Sequence, residues 1–391
     1  MYYPRKIEDK ISKHLDNKKA IILTGMRRTG KTTLLGKFYK EIKENKLWFD
    51  FENPLDVKYF EDIDYKDIYQ NFLNEGLDKN KRIYIFIDEV QHFPDVSKIV
   101  KYLSDHYNIK FFLTGSASYY LKNLFPESLA GRKVLFEVFP LDFEEFLIFK
   151  GEDIDKYNKI KKKKNITEID YERYDKLYEE YFKWGGFPEV VLEKKISFKY
   201  QILKDIFSSY YQNEIINLAD YRKNKKIRDL ILLLADRVGS QLDIVKLASE
   251  LGITRTTVYS YLSFLNSTYF IHLIPPYSKN AHREVSGSQK VYFCDNGILN
   301  IITQLNKGQL LENAVFNQLK ARGEVSYLRK KTGAEIDFIL NKNEAFEVKN
   351  KASQVDVERF KRNLENLDFK KTAVLSKKYV NLDSVVFCQF L

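Results

Sequence analysis

Residues 25–32 read Gly-Met-Arg-Arg-Thr-Gly-Lys-Thr and match G-x-x-x-x-G-K-S/T at every defined position. That spacing suits the holding of a polyphosphate. Glycine permits backbone conformations that aim successive N–H groups at one point, and a helix starting immediately afterwards adds the positive end of its dipole. The loop that would bind the nucleotide runs from Gly25 through Met26, Arg27, Arg28, Thr29 and Gly30 to Thr33, and Arg27 and Arg28 either contact phosphates or are simply solvated. Lys31 would reach the β- and γ-phosphates of ATP, and the Thr32 hydroxyl would ligate Mg²⁺. The flanks have the required order, because Ala20–Thr24 reads as a strand and the run from Thr32 as the start of a helix. Further on, the apolar run Ile83–Ile87 ends in Asp88-Glu89. Asp88 would hold Mg²⁺ directly or through water, and Glu89 would orient and polarise an attacking water. A third apolar run, Phe111–Thr114, ends in Gly115-Ser116. There Thr114 or Ser116 would touch the γ-phosphate or the lytic water, or the segment is a plain strand-end turn. Arg132 is either a finger reaching a neighbouring subunit's nucleotide or a surface arginine.

A second set of reactive side chains lies near the C-terminus. Asp337, in Ala334–Leu340, precedes Glu347 and Lys349 with the spacing D-x9-E-x-K. Strand alternation places Glu347 and Lys349 on one face, and Glu312 sits on an amphipathic helix expected over Leu311–Lys320. Carboxylates such as Asp337 and Glu347 would hold Mg²⁺ against a scissile phosphate, and the lysine would orient or deprotonate water. The pattern is similar to the PD-(D/E)XK nuclease core, with Ile336 where that motif has proline. A degenerate, non-cutting domain is the alternative.

Between these sets, Gln241–Tyr259 has helix–turn–helix form. Leu242, Val245, Leu247 and Leu251 predict an apolar stripe. Gly252 suits a left-handed turn, and Thr254 can cap the next helix. The exposed face of that helix would show Arg255, Thr256, Tyr259 and Ser260, residue types that contact phosphates and base edges. Tyr269–Tyr277 would form a wing. DNA is the partner this surface predicts; packing or protein contact is the alternative.

The elements that must position these residues follow from periodicity. Strands over Ala20–Thr24, Leu47–Phe51, Ile83–Ile87, Phe111–Thr114 and Val134–Val138 alternate with amphipathic stretches, which predicts an α/β, doubly wound parallel sheet covered on both faces. The predicted division is residues 1–150 for the P-loop ATPase domain, 151–225 for a helical lid or linker, 226–285 for a winged helix and 286–391 for an α/β nuclease-like domain. The Lys-rich stretch Lys150–Asp170 reads as an exposed insertion. Strands are expected at Val291–Phe293, Ile336–Leu340, Ala345–Val348 and Thr372–Leu375.

The ordered set Gly25–Thr33, Asp50–Asn53, Ile87–Gln91, Leu113–Ser116 and Gly131-Arg132, with Gly185–Glu189 and Val291–Asp295, resembles the predicted archaeal ATPase family of AAA-type proteins over nearly the whole chain. The resemblance implies an AAA-like core, a winged helix and a restriction-nuclease-like C-terminal domain. It supplies no substrate.

Bulk properties agree with this reading. The 391 residues carry Lys+Arg 65 against Asp+Glu 54, a net charge of +11 that favours polyanionic partners. Cys294 and Cys388 are the only cysteines and lack zinc-ligand spacing. No run approaches the roughly 20 apolar residues of a membrane span, and no signal peptide is visible. A cytoplasmic protein, with a homo-oligomer as one candidate assembly, is expected. Nucleotide-controlled engagement or cleavage of DNA is the leading expectation. A nucleotide-driven signalling or scaffold switch with an inert tail is its rival.

Overall fold

The computed structural model describes residues 2–115, 131–218, 224–278, 287–330, 332–365 and 367–391. In it, β1 (Ala20–Thr24), β2 (Lys46–Asp50), β3 (Ile83–Asp88), β4 (Ile109–Gly115) and β5 (Lys133–Glu137) form an all-parallel sheet in the order β2-β3-β4-β1-β5. The inner strands β1, β3 and β4 are largely apolar because both faces are buried, while the edge strands β2 and β5 are mostly half-buried. Ile22, Ile85, Ile87, Phe111 and Leu113 join one core cluster, while the alternate residues Ile21, Leu23, Phe86 and Phe112 pack with Leu34, Leu35 and Phe38 of the Lys31–Glu41 helix. Each such buried side chain contributes about 1.5–3 kcal/mol. All five strands point the same way, so the loops after β1, β3 and β4 meet at one edge of the sheet, the usual ligand edge of open α/β folds.

The chain folds as two units. The first comprises the described residues up to Phe139 together with Ser267–Tyr269, and the second Pro140–Asn266 with Phe270–Leu391. The first unit thus closes at Phe139 rather than at residue 150. The Phe143–Lys150 helix instead buries Phe143 and Phe146 against Tyr178 and Tyr181 of the Glu168–Trp184 helix.

The second unit also corrects the reading of 150–170 as an exposed insertion. Ile154–Lys161 is a helix capped by Asp153, and Tyr157 is buried with its hydroxyl donating to the Gln389 carbonyl. The lysines face solvent while one apolar side seals the core, as amphipathic helices do. The break at Gly185-Gly186 is a close backbone approach. A Cβ on Gly186 would lie 2.1 Å from the Leu141 carbonyl oxygen. The Gly186 N–H donates to the buried Asp295 carboxylate at 2.6 Å, whose other oxygen caps the Asn296–Ile302 helix through Gly297 and Ile298.

Ile244–Leu251 and Arg255–Ser267 form the expected pair of helices. The first ends at Gly252 in the left-handed region, and Thr254 accepts from the Thr257 N–H at 3.2 Å. Its buried residues are Leu247, Ala248 and Leu251, while Val245 is half exposed and not part of the stripe. Leu242 is buried but precedes the helix. Next come β6 (Ile271–Ile274) and β7 (Lys290–Phe293), an antiparallel pair. Val291–Phe293 therefore belongs to a hairpin with β6 and not to the C-terminal sheet, so a boundary at 285/286 would cut through paired strands.

That sheet is β8 (Val325–Arg329), β9 (Glu335–Leu340), β10 (Glu344–Lys349), β11 (Lys371–Ser376) and β12 (Val385–Phe387), in the order β12-β11-β10-β9-β8. The Gln354–Leu364 helix makes the crossover that the parallel pair β10–β11 requires. The sequence reading missed β8 and β12. Each lies at a sheet edge, and β12 is too short to show a period.

Candidate functional site

At the carboxyl edge of the first sheet, the loop 25–30 turns directly into the Lys31–Glu41 helix. Gly25 lies at φ +150°, and a Cβ there would sit 2.2 Å from the Val138 carbonyl oxygen, so only glycine fits. Lys31 is 5% exposed and folds back so that its Nζ donates to the carbonyls of Gly25 (2.9 Å) and Met26 (3.0 Å). Thr29 is buried and donates from Oγ1 to the Met26 carbonyl at 2.9 Å. Thr32 and Thr33 are exposed at the helix start, and Arg27 and Arg28 are half-buried and exposed.

Asp88 ends β3 beside this loop and is buried. Burial pushes its carboxyl above the ordinary range, and hydrogen bonds from Thr114 and Thr32 pull it partly back. The two predicted Mg²⁺ ligands, Thr32 and Asp88, are thus within hydrogen-bond reach of each other. Thr114 is fully buried, donates from Oγ1 to Asp88 Oδ1, and accepts the Glu89 N–H at 3.2 Å. Glu89 adopts a left-handed backbone at φ 52°, unusual for a non-glycine residue, and its carboxylate accepts from the Gln91 amide. Glu52 comes to 3.6 Å from Arg27 and 3.9 Å from His92, which brings the Asp50–Asn53 segment to the same edge. Ser116 lies outside the described residues. Arg132 pairs with Asp105 at 2.7 Å within its own chain. The donor set fits ATP with magnesium: a loop that tolerates only glycine at its closest approach, a lysine able to leave carbonyls for phosphate, and a hydroxyl facing a carboxylate.

The C-terminal set also assembles. Beyond the β9–β10 register pair Phe338–Phe346, the next residues are Asp337 and Glu347. Asp337 Oδ2 accepts the Val348 N–H at 2.7 Å, and Lys349 Nζ donates to Glu347 Oε1 at 2.7 Å. Burial raises the pKa of both carboxyls, and their mutual repulsion adds to the rise at Glu347. Glu347 Oε2 is a buried oxygen without a hydrogen-bond partner. Such an atom fits a cation.

Glu312, on the Lys307–Lys320 helix, reaches the same cluster but is already occupied. It accepts from the Tyr292 hydroxyl and lies 3.6 Å from Lys290 Nζ, which also pairs with Glu335. Burial, then Asp337, pushes Glu312 up to about 7, and Lys290 and Tyr292 oppose them. Lys290, Tyr292 and Glu335 went unnoticed in the sequence. They share no spacing with Glu312 and meet it because β7, which carries Lys290 and Tyr292, and β9, which carries Glu335, both pack beside that helix.

The Arg255–Ser267 helix exposes Arg255, Thr256, Tyr259 and Ser260, as expected, and buries Val258, Leu262 and Leu265.

Residues 17–147 match an AAA domain family (AAA_14), residues 175–309 a domain of unknown function (DUF8612), and residues 307–387 another domain of unknown function (DUF4143). The uncharacterized protein MJ1544 of Methanocaldococcus jannaschii is 30% identical over 332 residues, covering 82% of this chain and 71% of that protein. An uncharacterized protein of Haemophilus influenzae is 29% identical over 381 residues, covering 92% of this chain and 89% of its own length. Among solved structures, the Walker-type ATPase PABY2304 of Pyrococcus abyssi shares the fold, with a TM-score of 0.50 and 15% identity over 77% of this chain and 96% of that one. Among the described residues, no helix is long and apolar enough to cross a membrane. With this sheet, this loop and these relatives, the chain belongs to the family of MJ1544, and its N-terminal part is an AAA-type P-loop ATPase domain.

Proposed function

We propose that the protein is a Mg²⁺-dependent ATPase whose nucleotide state governs how its helix–turn–helix segment and its C-terminal carboxylate cluster engage DNA, with hydrolysis of a phosphodiester at that cluster. The observation that carries the second half is the meeting of Asp337, Glu347 and Lys349, with Glu347 Oε2 buried and unpartnered.

In the nucleotide site, the loop N–H groups and the helix N-terminus take the phosphates. Lys31 exchanges the Gly25 and Met26 carbonyls for phosphate oxygens. Thr32 and Asp88 would hold the magnesium, which neutralises charge developing on the transferred phosphoryl group. Thr114 fixes Asp88 and the Glu89 backbone, and Glu89 takes a proton from the attacking water.

At the second site, Asp337 and Glu347 would hold a divalent cation, which polarises the scissile phosphate. Lys349, beside Glu347, orients the water. The β6–β7 pair following the Arg255–Ser267 helix supports a winged-helix reading that runs on to Phe293, past the expected end at residue 285, with Arg255, Thr256, Tyr259 and Ser260 facing the duplex. A cytoplasmic site of action accords with this reading.

The test is cleavage of plasmid and linear DNA in Mg²⁺, with and without ATP, by the parent, Lys31→Ala and Lys349→Ala. Cleavage that responds to ATP in the parent and is lost in Lys349→Ala supports the proposal. A protein that hydrolyses ATP and multimerises with it, yet neither binds nor cuts DNA, is instead a protein–protein switch.

A further inference from the structure

A residue far from the motif shapes the phosphate loop from behind. Arg5 donates from Nη1 to the Thr29 carbonyl at 2.9 Å and from Nη2 to the Phe139 carbonyl at 2.9 Å. Its guanidinium lies along the back of the turn, 3.7 Å from where a Cβ on Gly30 would stand. The chain contains no cis peptide among the described residues. In a planar trans peptide, the carbonyl and the following N–H point in opposite directions. Holding the Thr29 carbonyl outward therefore holds the Gly30 N–H inward, toward the space between the loop and the helix N-terminus. Thr29 has no other freedom, since it is fully buried and its hydroxyl is bound to Met26. Gly30 sits at φ 95°, where a glycine peptide can rotate at little cost. An external clamp is what removes that freedom.

We infer that Arg5 is a positioning residue for the ATPase. By fixing the 29–30 peptide, it presents the Gly30 N–H to the β-phosphate before nucleotide arrives. This rests on the reading of residues 25–33 as the nucleotide loop. Preorganised donors bind an anion without first being ordered, so loss of the clamp falls on ligands that carry a β-phosphate. Phe139 follows β5 by two residues, so the same guanidinium ties the loop to the segment just after that strand.

The experiment is equilibrium binding of fluorescent ADP and ATP to the parent, Arg5→Ala and Arg5→Lys, with AMP measured by competition. The expected result is a rise of about ten-fold in Kd for ADP and ATP in Arg5→Ala, the scale of one lost charge-assisted hydrogen bond. AMP affinity is expected to hold within two-fold. Arg5→Lys, able to reach one carbonyl but not both, should fall between. Millimolar ethylguanidinium should recover part of the loss in Arg5→Ala, which a merely structural defect would not allow. ADP affinity within two-fold of the parent overturns the inference, as does an equal loss for AMP and ADP. If Arg5→Ala shows no cooperative melting transition, Arg5→Lys decides by the same criterion. A parent protein that binds none of these nucleotides refutes the reading of the loop itself, and the inference falls with it.

Discussion

Replacing Thr114 by valine tests whether the nucleotide site works as the geometry implies. Valine keeps the shape of threonine in a fully buried position, so packing changes little, but it can neither donate to Asp88 nor accept from Glu89. A hydrogen bond to a charged group contributes about 1.5–3 kcal/mol. Burial already disfavours the ionised Asp88, and Thr114 is the first of the groups opposing that effect. Without it the carboxyl is harder to ionise and a poorer partner for magnesium. The Glu89 N–H keeps only its 3.2 Å contact with Asp88 Oδ1, so the left-handed turn that aims the Glu89 carboxylate loosens. The lost interaction corresponds to a fall in kcat of roughly ten- to a hundred-fold. ATP binding should change far less, because the loop and Lys31 are untouched. Phosphate release and fluorescent-nucleotide titration separate the two, and Thr114→Ser, which restores the hydroxyl, should return most of the rate. A Thr114→Val protein with kcat within two-fold of the parent would refute the assignment.

Further outcomes follow from other contacts. Gly25→Ala places a Cβ 2.2 Å from the Val138 oxygen at φ +150°, so differential scanning calorimetry should show a loss of about 3 kcal/mol or more, with nucleotide binding abolished. Glu347→Gln keeps an acceptor for Lys349 but removes a charge that burial and Asp337 both oppose, so Mn²⁺ binding at the cluster should be lost while melting stays at or above the parent's. Burial raises Asp295 from 3.8 to about 6 against three backbone N–H bonds. Its contribution to stability is therefore full below pH 3.8 and lost as the pH rises to about 6, about 3 kcal/mol in all. Comparing urea unfolding of the parent and Asp295→Asn across that window should show a shallower slope in the variant, because the other raised carboxyls, such as Glu312, still titrate there. If the Arg255–Ser267 helix meets DNA, Arg255→Ala should lower the salt dependence of binding by about one unit, measured by anisotropy at several salt concentrations.

The sequence by itself made the loop after β1 and the sheet that carries it legible. A P-loop is read from neighbours in the chain, and residues 25–32 specify the local turn seen in the positive φ of Gly25 and Gly30 and in the helix that starts at Lys31. The inner parallel strands were equally legible, because burial on both faces writes apolar runs such as Ala20–Thr24 and Ile83–Ile87. Strand alternation likewise set Glu347 and Lys349 on one face. Tertiary structure decided what depends on distant segments. It placed Thr114 against Asp88 because the order β2-β3-β4-β1-β5 sets β4 beside β3. It put Lys290 and Tyr292 on Glu312, giving an expected catalytic carboxylate partners of its own. It paired Val291–Phe293 with β6, and it brought Arg5 behind Thr29. None of these pairings has a period or spacing to read. Each is a side chain satisfying its hydrogen bonds with whatever the fold brings near, and only the packing of elements remote in sequence supplies that neighbour.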